Sequence, residues 1–329
     1  MSVSSNSMAL SDLNSIPDLN PHQSITTRKP RRVATISGSM PLQDIRIILG
    51  DYDCKDVTRN LDLNKCGTLP VSGGGFGDIY EGAFLDGQKV AIKCPRSFVS
   101  WNEGSSQTTK NLAHELYSWS KCKHENVLEL LGLAYYKNQI ATVSPWMGQG
   151  TLPYYISQNP SVNVIDLCCQ VSSGVAYLHG RDITHGDIKG VNVLIADDGT
   201  VKLADFGNTT LRTYSLQFTG IVDKSALSVR WTAPEVLKGA TNVSREADIY
   251  ALAMEALTGD VPFQGKSETT VLVDVMIRGK IPERLELYFP QGNKRCDALW
   301  GMLLRCWDSN SKGRPSAKEV WEHLRSPPP

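Results

Sequence analysis

The sequence predicts an α+β fold in two lobes, a small β-rich lobe with one main helix followed by a larger, mostly helical lobe. Three observations predict it. Between about residues 66 and 150, short Val/Ile/Tyr runs broken by glycine (GDIYEGAF, KVAIKC, QIATVSPW) read as antiparallel strands with tight turns. Beyond residue 150 the apolar spacing lengthens to helical periods in VIDLCCQVSSGVAYLHG, ETTVLVDVMIRG and CDALWGMLLRCW. The 329 residues are 41% hydrophobic and 21% charged, a globular composition that excludes wholesale disorder.

In chain order, residues 1–65 read as a disordered N-terminal tail. The first 40 are rich in Ser, Asn and Pro, with too little regularly spaced apolar surface to offset the entropy of ordering. Leu42, Ile45 and Leu49 recur at helical spacing and predict one short helix near 42–49, docked or free. Arg28, Lys29, Arg31 and Arg32 read first as a solvated charge run, and second as a nuclear address or a flank for phosphorylation at Thr35 or Ser37. Residues 66–325 form the folded domain and 326–329 a short tail.

Lys+Arg and Asp+Glu both number 34, so no global field attracts nucleic acid or an anionic membrane, and neither is expected as a partner. The eight cysteines are scattered without a CxxC pair or zinc spacing. With no signal-like start and no apolar run near ~20 residues, a reduced chain in the cytoplasm, extending to the nucleus if the basic run is an address, is the expectation. Oligomeric state is not legible.

The chemistry-bearing residues start in SGGGFGDIY, residues 72–80. Gly74 and Gly77 let backbone amides approach a phosphate, Phe76 caps the turn, and Ile79 covers an adenine face. In VAIK, Ala91 and Lys93 share a strand face. A lysine there needs a partner, and Glu115, 22 residues on, lies in a segment whose Leu112, Leu116 and Trp119 spacing makes a helix facing the sheet. ITHGDIKGVNVLI (183–195) and LADFGN (203–208) supply the rest. Phosphoryl transfer needs magnesium on oxygen ligands, a carboxylate that orients the attacking hydroxyl and a cation near the transferred group. Asn192 and Asp205 suit the metal, Asp187 the hydroxyl and Lys189 the charge.

The order and spacing of these motifs, with WTAPE at 231–235, resemble the eukaryotic protein kinase family over about 260 residues. The RWTAPE and CWDSNSKGRP segments look like its tyrosine-kinase-like group. The resemblance implies the bilobal kinase fold, ATP and Mg2+, and transfer of the γ-phosphoryl group to protein hydroxyls. It places Lys93, Glu115, Asp187 and Lys189 in catalysis and Asn192 and Asp205 at metal. Around nucleotide it places Ser72, Gly74, Gly77, Ile79, Ala91, Lys93 and Leu194, with Ser144 as gatekeeper and Met147 in the hinge. It also implies that Glu235 pairs with Arg314, and that Asp248 accepts bonds from the catalytic-loop backbone. Lys189 two after the base, with Ser228, is the Ser/Thr arrangement, so Ser/Thr side chains of proteins are the expected substrates.

Four positions depart from the family pattern: Ser72 for the first loop glycine, Pro145 for a common hinge acid, Gly186 for the arginine of HRD, and a helix after Asp248 three residues short. Three residues are roughly 300° and ~4.5 Å of helix, leaving later side chains about 60° out of phase. The alternative reading is therefore a catalytically impaired pseudokinase or scaffold that binds nucleotide. Gly186 predicts that activity needs no loop phosphate read through that position. Phosphatase treatment and alanine at Ser215, Thr219, Ser225 and Ser228 test this, Ser228 being interpreted separately as a residue that can organise the substrate site. Transfer is expected to survive loss of the loop phosphates; abolition by phosphatase would show the contrary.

Overall fold

Alternating apolar residues along KVAIKC bury Val90, Ile92 and Cys94 on one face, and this strand is the middle of the sheet that carries half of the site. The computed structural model describes residues 34–37, 39–74, 77–96, 104–212, 216–218, 227–255, 261–286 and 289–326. The basic run at 28–32, Phe76, and the loop hydroxyls Ser215, Thr219 and Ser225 lie outside the described residues.

The elements begin with β1 (Ala34–Ile36) and α1 (Leu42–Asp51). The strands β2 (Ser72–Gly74), β3 (Gly77–Ala83) and β4 (Lys89–Cys94) lead to α2 (Gly104–Ser120), followed by β5 (Gly132–Tyr136) and β6 (Gln139–Pro145). The sheet order is β2-β3-β4-β6-β5, every pair antiparallel. The larger lobe opens with α3 (Leu152–Gln158) and α4 (Val164–Gly180). The short strands β7 (Ile183–Thr184), β8 (Val193–Ile195), β9 (Val201–Leu203), β10 (Thr210–Leu211) and β11 (Leu216–Phe218) follow. Helices α5 (Pro234–Leu237), α6 (Arg245–Glu255), α7 (Glu268–Met276), α8 (Lys294–Cys306) and α9 (Ala317–Arg325) complete it. The architecture is the two-lobed α+β fold read from the sequence.

Helix boundaries follow their caps. Asn163, Ser267, Asn293 and Ser316 accept a backbone N–H at the starts of α4, α7, α8 and α9, each such cap stabilising by about 1 kcal/mol. In α6 all of Ile249 to Met254 are buried, so the helix faces core nearly all round and stays in register with it to Met254. The residues after the shortened spacing, 256–260, lie outside the description.

The expectation that residues 1–65 form a tail is corrected from Ala34 onward. Ile36, Ile45, Leu49, Tyr52 and Cys54 are buried in one cluster with Leu112, Ala113, Leu116 and Tyr117 of α2. The chain then runs along the outer edge of β5, where Val57 N–H donates to Leu133 O and Leu133 N–H to Lys55 O. The apolar residues of this stretch are too sparse to form a core by themselves. Their burial comes from α2, more than 50 positions away in the sequence, which no local pattern reports.

Gly132 marks how close that approach is: a Cβ there would sit 2.3 Å from the Lys55 carbonyl oxygen. Gly132→Ala is expected to destabilise the protein by ~1–3 kcal/mol, as overpacking does, and differential scanning fluorimetry would read this as a lowered Tm.

Candidate active site

Register in the small-lobe sheet assembles one wall. Ile79 lies across from Lys93, Ala91 across from Ser144, and Lys93 across from Thr142, so period-two geometry puts these side chains on a common face. Ser72 pairs with Ile79 and Gly74 with Gly77. Gly77 has φ +143°, and a Cβ would lie 2.4 Å from the Cys94 carbonyl oxygen, so a side chain there would prise the two strands apart.

These residues line a cleft of about 380 Å³ between the lobes. Ser72, Gly77, Ile79, Ala91, Lys93, Glu115, Ser144, Lys189, Asn192, Leu194 and Asp205, all expected from the sequence, lie on it. Gly74 and Met147 do not line it: Gly74 is held in the β2–β3 pair, and Met147 packs on the large-lobe core while its carbonyl accepts from Gly150 N–H at 3.1 Å. Asp187 lies on a small neighbouring cavity with Ser228 and Trp231. Trp119, Leu128, Thr142, Val191 and Ala204 also line the cleft and were not singled out as site residues. Thr142 sits two before Ser144 on a strand, and Trp119 four after Glu115 on a helix, so both periodicities carried the signal.

The lysine finds two partners. Lys93 Nζ is 3.0 Å from Glu115 Oε1 and 3.0 Å from Asp205 Oδ1. Burial works against the ammonium, but Glu115 and Asp205 outweigh it and hold Lys93 well above the usual lysine range. Burial also opposes charge on Asp205, yet Lys93 beside it, helped by His185 and the Gly207 N–H, brings its carboxyl below the ordinary value of 3.8. For Glu115 burial prevails, and its carboxyl is pushed up against the pull of Lys93.

Asp205 has φ +68°, a left-handed conformation that Asp tolerates better than most residues. The turn sends the next side chain inward: Phe206 is fully buried, stacked on Trp119 at 5.5 Å and tilted against His185 at 5.4 Å. His185 and Gly186 are themselves pinned, their N–H groups donating to Asp248 Oδ2 at 2.8 Å and Oδ1 at 2.9 Å. Gly186 has φ +82°, and a Cβ would come within 2.6 Å of the Asn208 carbonyl oxygen.

Around Asp187 the bonds close a triangle. Ser228 Oγ donates to Asp187 Oδ1 at 2.8 Å, Lys189 Nζ donates to Ser228 Oγ at 2.8 Å, and Lys189 Nζ lies 2.8 Å from Asp187 Oδ2. Asn192 Nδ2 donates to the Asp187 carbonyl at 2.8 Å and to Oδ2 at 3.0 Å. With its amide nitrogen used this way, neither bond engages the Asn192 side-chain oxygen. Farther out, Arg314 holds Glu235 bidentately at 2.7 and 2.8 Å, fastening the short helix after Ser228 to the large lobe.

The family whose sequence model matches residues 69–324 is described as protein tyrosine and serine/threonine kinase. The serine/threonine-protein kinase STY46 of Arabidopsis thaliana is 27% identical over 262 residues, covering 78% of this chain and 43% of the relative. The serine/threonine/tyrosine-protein kinase HT1 of Arabidopsis thaliana is 26% identical over 255 residues, 75% of this chain and 62% of the relative. The tyrosine-protein kinase Src64B of Drosophila melanogaster is 28% identical over 261 residues, 77% and 45%. The chain thus spans less than half the length of the first curated relatives it matches.

The lysine trio sets a pH test. Asp205, depressed, stabilises the fold above its ordinary 3.8 and loses that contribution as pH falls through its folded value. Lys93→Met leaves two neighbouring carboxylates without their cation, so the variant gains stability on acidification as one of them takes a proton. The variant is expected to be less stable by ~3 kcal/mol near neutral pH, with the gap narrowing toward pH 4 in denaturant melts. A gap independent of pH would show that the trio is not an electrostatic unit.

Proposed function

Since the chain belongs to the protein tyrosine and serine/threonine kinase family, with segments of tyrosine-kinase-like character, we propose that it is an ATP-dependent serine/threonine protein kinase. It transfers the γ-phosphoryl group of MgATP to hydroxyls of protein substrates. The observation that carries this reading is that Lys189 lines the same cleft as Lys93, Glu115 and Asp205 and is bonded to Asp187 and Ser228 of the small neighbouring cavity. No helix among the described residues is long and apolar enough to cross a membrane.

Phosphoryl transfer asks the protein for positioning and charge rather than covalent chemistry. Ile79, Ala91 and Leu194 supply apolar walls for a purine, and Lys93, fixed by Glu115, offers its ammonium to the phosphates. The acceptor hydroxyl gives its proton to the Asp187 carboxylate, which Lys189, Ser228 and Asn192 hold in one orientation. Lys189 also offsets the charge gathering on the transferred group. Ser/Thr specificity is supported by Lys189 and Ser228, each bonded into the triangle. Asn192 and Asp205 present hard oxygen ligands suited to magnesium. Mg2+ held there supplies neutralisation of phosphate charge.

The competing reading, a nucleotide-binding scaffold, shares every one of these contacts except turnover, so the experiment must read transfer. Labelled-phosphate transfer from ATP to a generic protein substrate is expected for the full chain, and Asp187→Asn should lower kcat by ~10²–10⁴-fold with nucleotide affinity retained. Nucleotide binding with no Asp187-dependent transfer would assign the scaffold role instead.

A further inference from the structure

The segment that links Asp205 to Ser228 contains β11, and β11 is tied to the N-terminal stretch. β1 and β11 pair in parallel, Ala34 with Leu216, Thr35 with Gln217 and Ile36 with Phe218. Ile36 and Leu216 are both fully buried. Phe218 meets His114 edge-on at 5.3 Å and Tyr117 at 6.2 Å, so the pair rests on α2, the helix that carries Glu115.

The N-terminal stretch is in turn anchored along that helix. Ile45 and Leu49 of α1 are fully buried against it. Lys121 Nζ donates to the Tyr52 carbonyl at 2.9 Å, and Cys54 Sγ to the Leu116 carbonyl at 3.4 Å. One cluster of side chains therefore touches the N-terminal stretch, the Glu115 helix and the strand on the way to Ser228. Gly186, beside the catalytic aspartate, has no side chain with which to reach that strand.

We propose that β1 and α1 form an in-cis strap that holds α2 and β11 in the arrangement needed for transfer, so that this chain carries its own activating element in residues 34–51. The inference rests on the reading of the cleft as a phosphoryl-transfer site. Physically it is β-augmentation within one chain: the strand supplies backbone pairing, while Ile36 and the α1 face supply the burial that keeps it seated. Ile36 is a positioning residue here, acting on the cleft through β11 and α2.

The test uses the full chain with Ile36→Asp, and with Thr35→Val, a change at the exposed centre of the same strand, as control. Hydrogen–deuterium exchange over 216–218, nucleotide KM and kcat are measured together. Ile36→Asp is expected to speed exchange at 216–218 and to lower kcat about tenfold or more with nucleotide KM within about threefold, while Thr35→Val changes neither. Should Ile36→Asp not fold, Ile36→Ala carries the same comparison with a smaller loss. Exchange at 216–218 that does not respond would show that the strand does not hold β11. Unchanged or raised kcat despite faster exchange would show that it holds β11 without activating. A wild-type chain that transfers no phosphate at all would refute the kinase reading, and the exchange data would still report whether the strap is seated.

Discussion

One ammonium group shared by two carboxylates governs the small-lobe side of the site. Lys93 comes from a strand, Glu115 from a helix packed on the sheet, and Asp205 from a turn in the other lobe, with both carboxylates 3.0 Å from the shared Nζ. None of the three is indifferent to the others, since a buried ion left alone is far more costly than a buried pair. The helix, the sheet and the turn must therefore be in place together. With both carboxylates ionised the trio carries a net −1, which favours a cation at the Asp205 side, while Lys93 keeps Asp205 ionised against its burial and against the neighbouring carboxylate.

The large lobe answers with neutral precision rather than surplus charge. Asp248 takes the backbone N–H groups of His185 and Gly186 and the His179 ring, so a carboxylate at 2% exposure is satisfied by bonds that include two fixing a backbone conformation. The left-handed residues Gly186 and Asp205 sit at the two ends of the loop system so fixed. Gly186 adopts that conformation without strain, whereas at Asp205 strain of this kind survives only where its surroundings over-determine it, as the buried Phe206 stacked on Trp119 does next door.

Much of this was legible in the sequence because the relevant spacings are local. Period-two alternation put Ala91 and Lys93 on one face, helical spacing turned Glu115 toward the sheet, and the interval from Asp187 to Asn192 placed both in one loop. Trp119 and Thr142 obey the same periods but resemble ordinary core residues until the cleft is seen. Ser228 could be named by its position, whereas its bonds to both Asp187 and Lys189 depend on how a segment more than 35 residues away returns to the loop. In the N-terminal stretch the short helix near 42–49 was legible and its seat on the domain was not, for a related reason. Ile36, Ile45 and Leu49 look thin as a core of their own, and what makes them structural is the apolar side of α2, elsewhere in the chain, against which they are buried.

That last feature bears on how the protein can be handled in the laboratory. The family match begins at residue 69, and a recombinant fragment trimmed to that boundary would strip the cover from Leu112, Leu116 and Tyr117, leaving a greasy stripe on α2 in contact with water. Contiguous apolar surface of this sort drives self-association, so poor solubility of such a fragment would report a badly chosen cut rather than an unstable kinase domain.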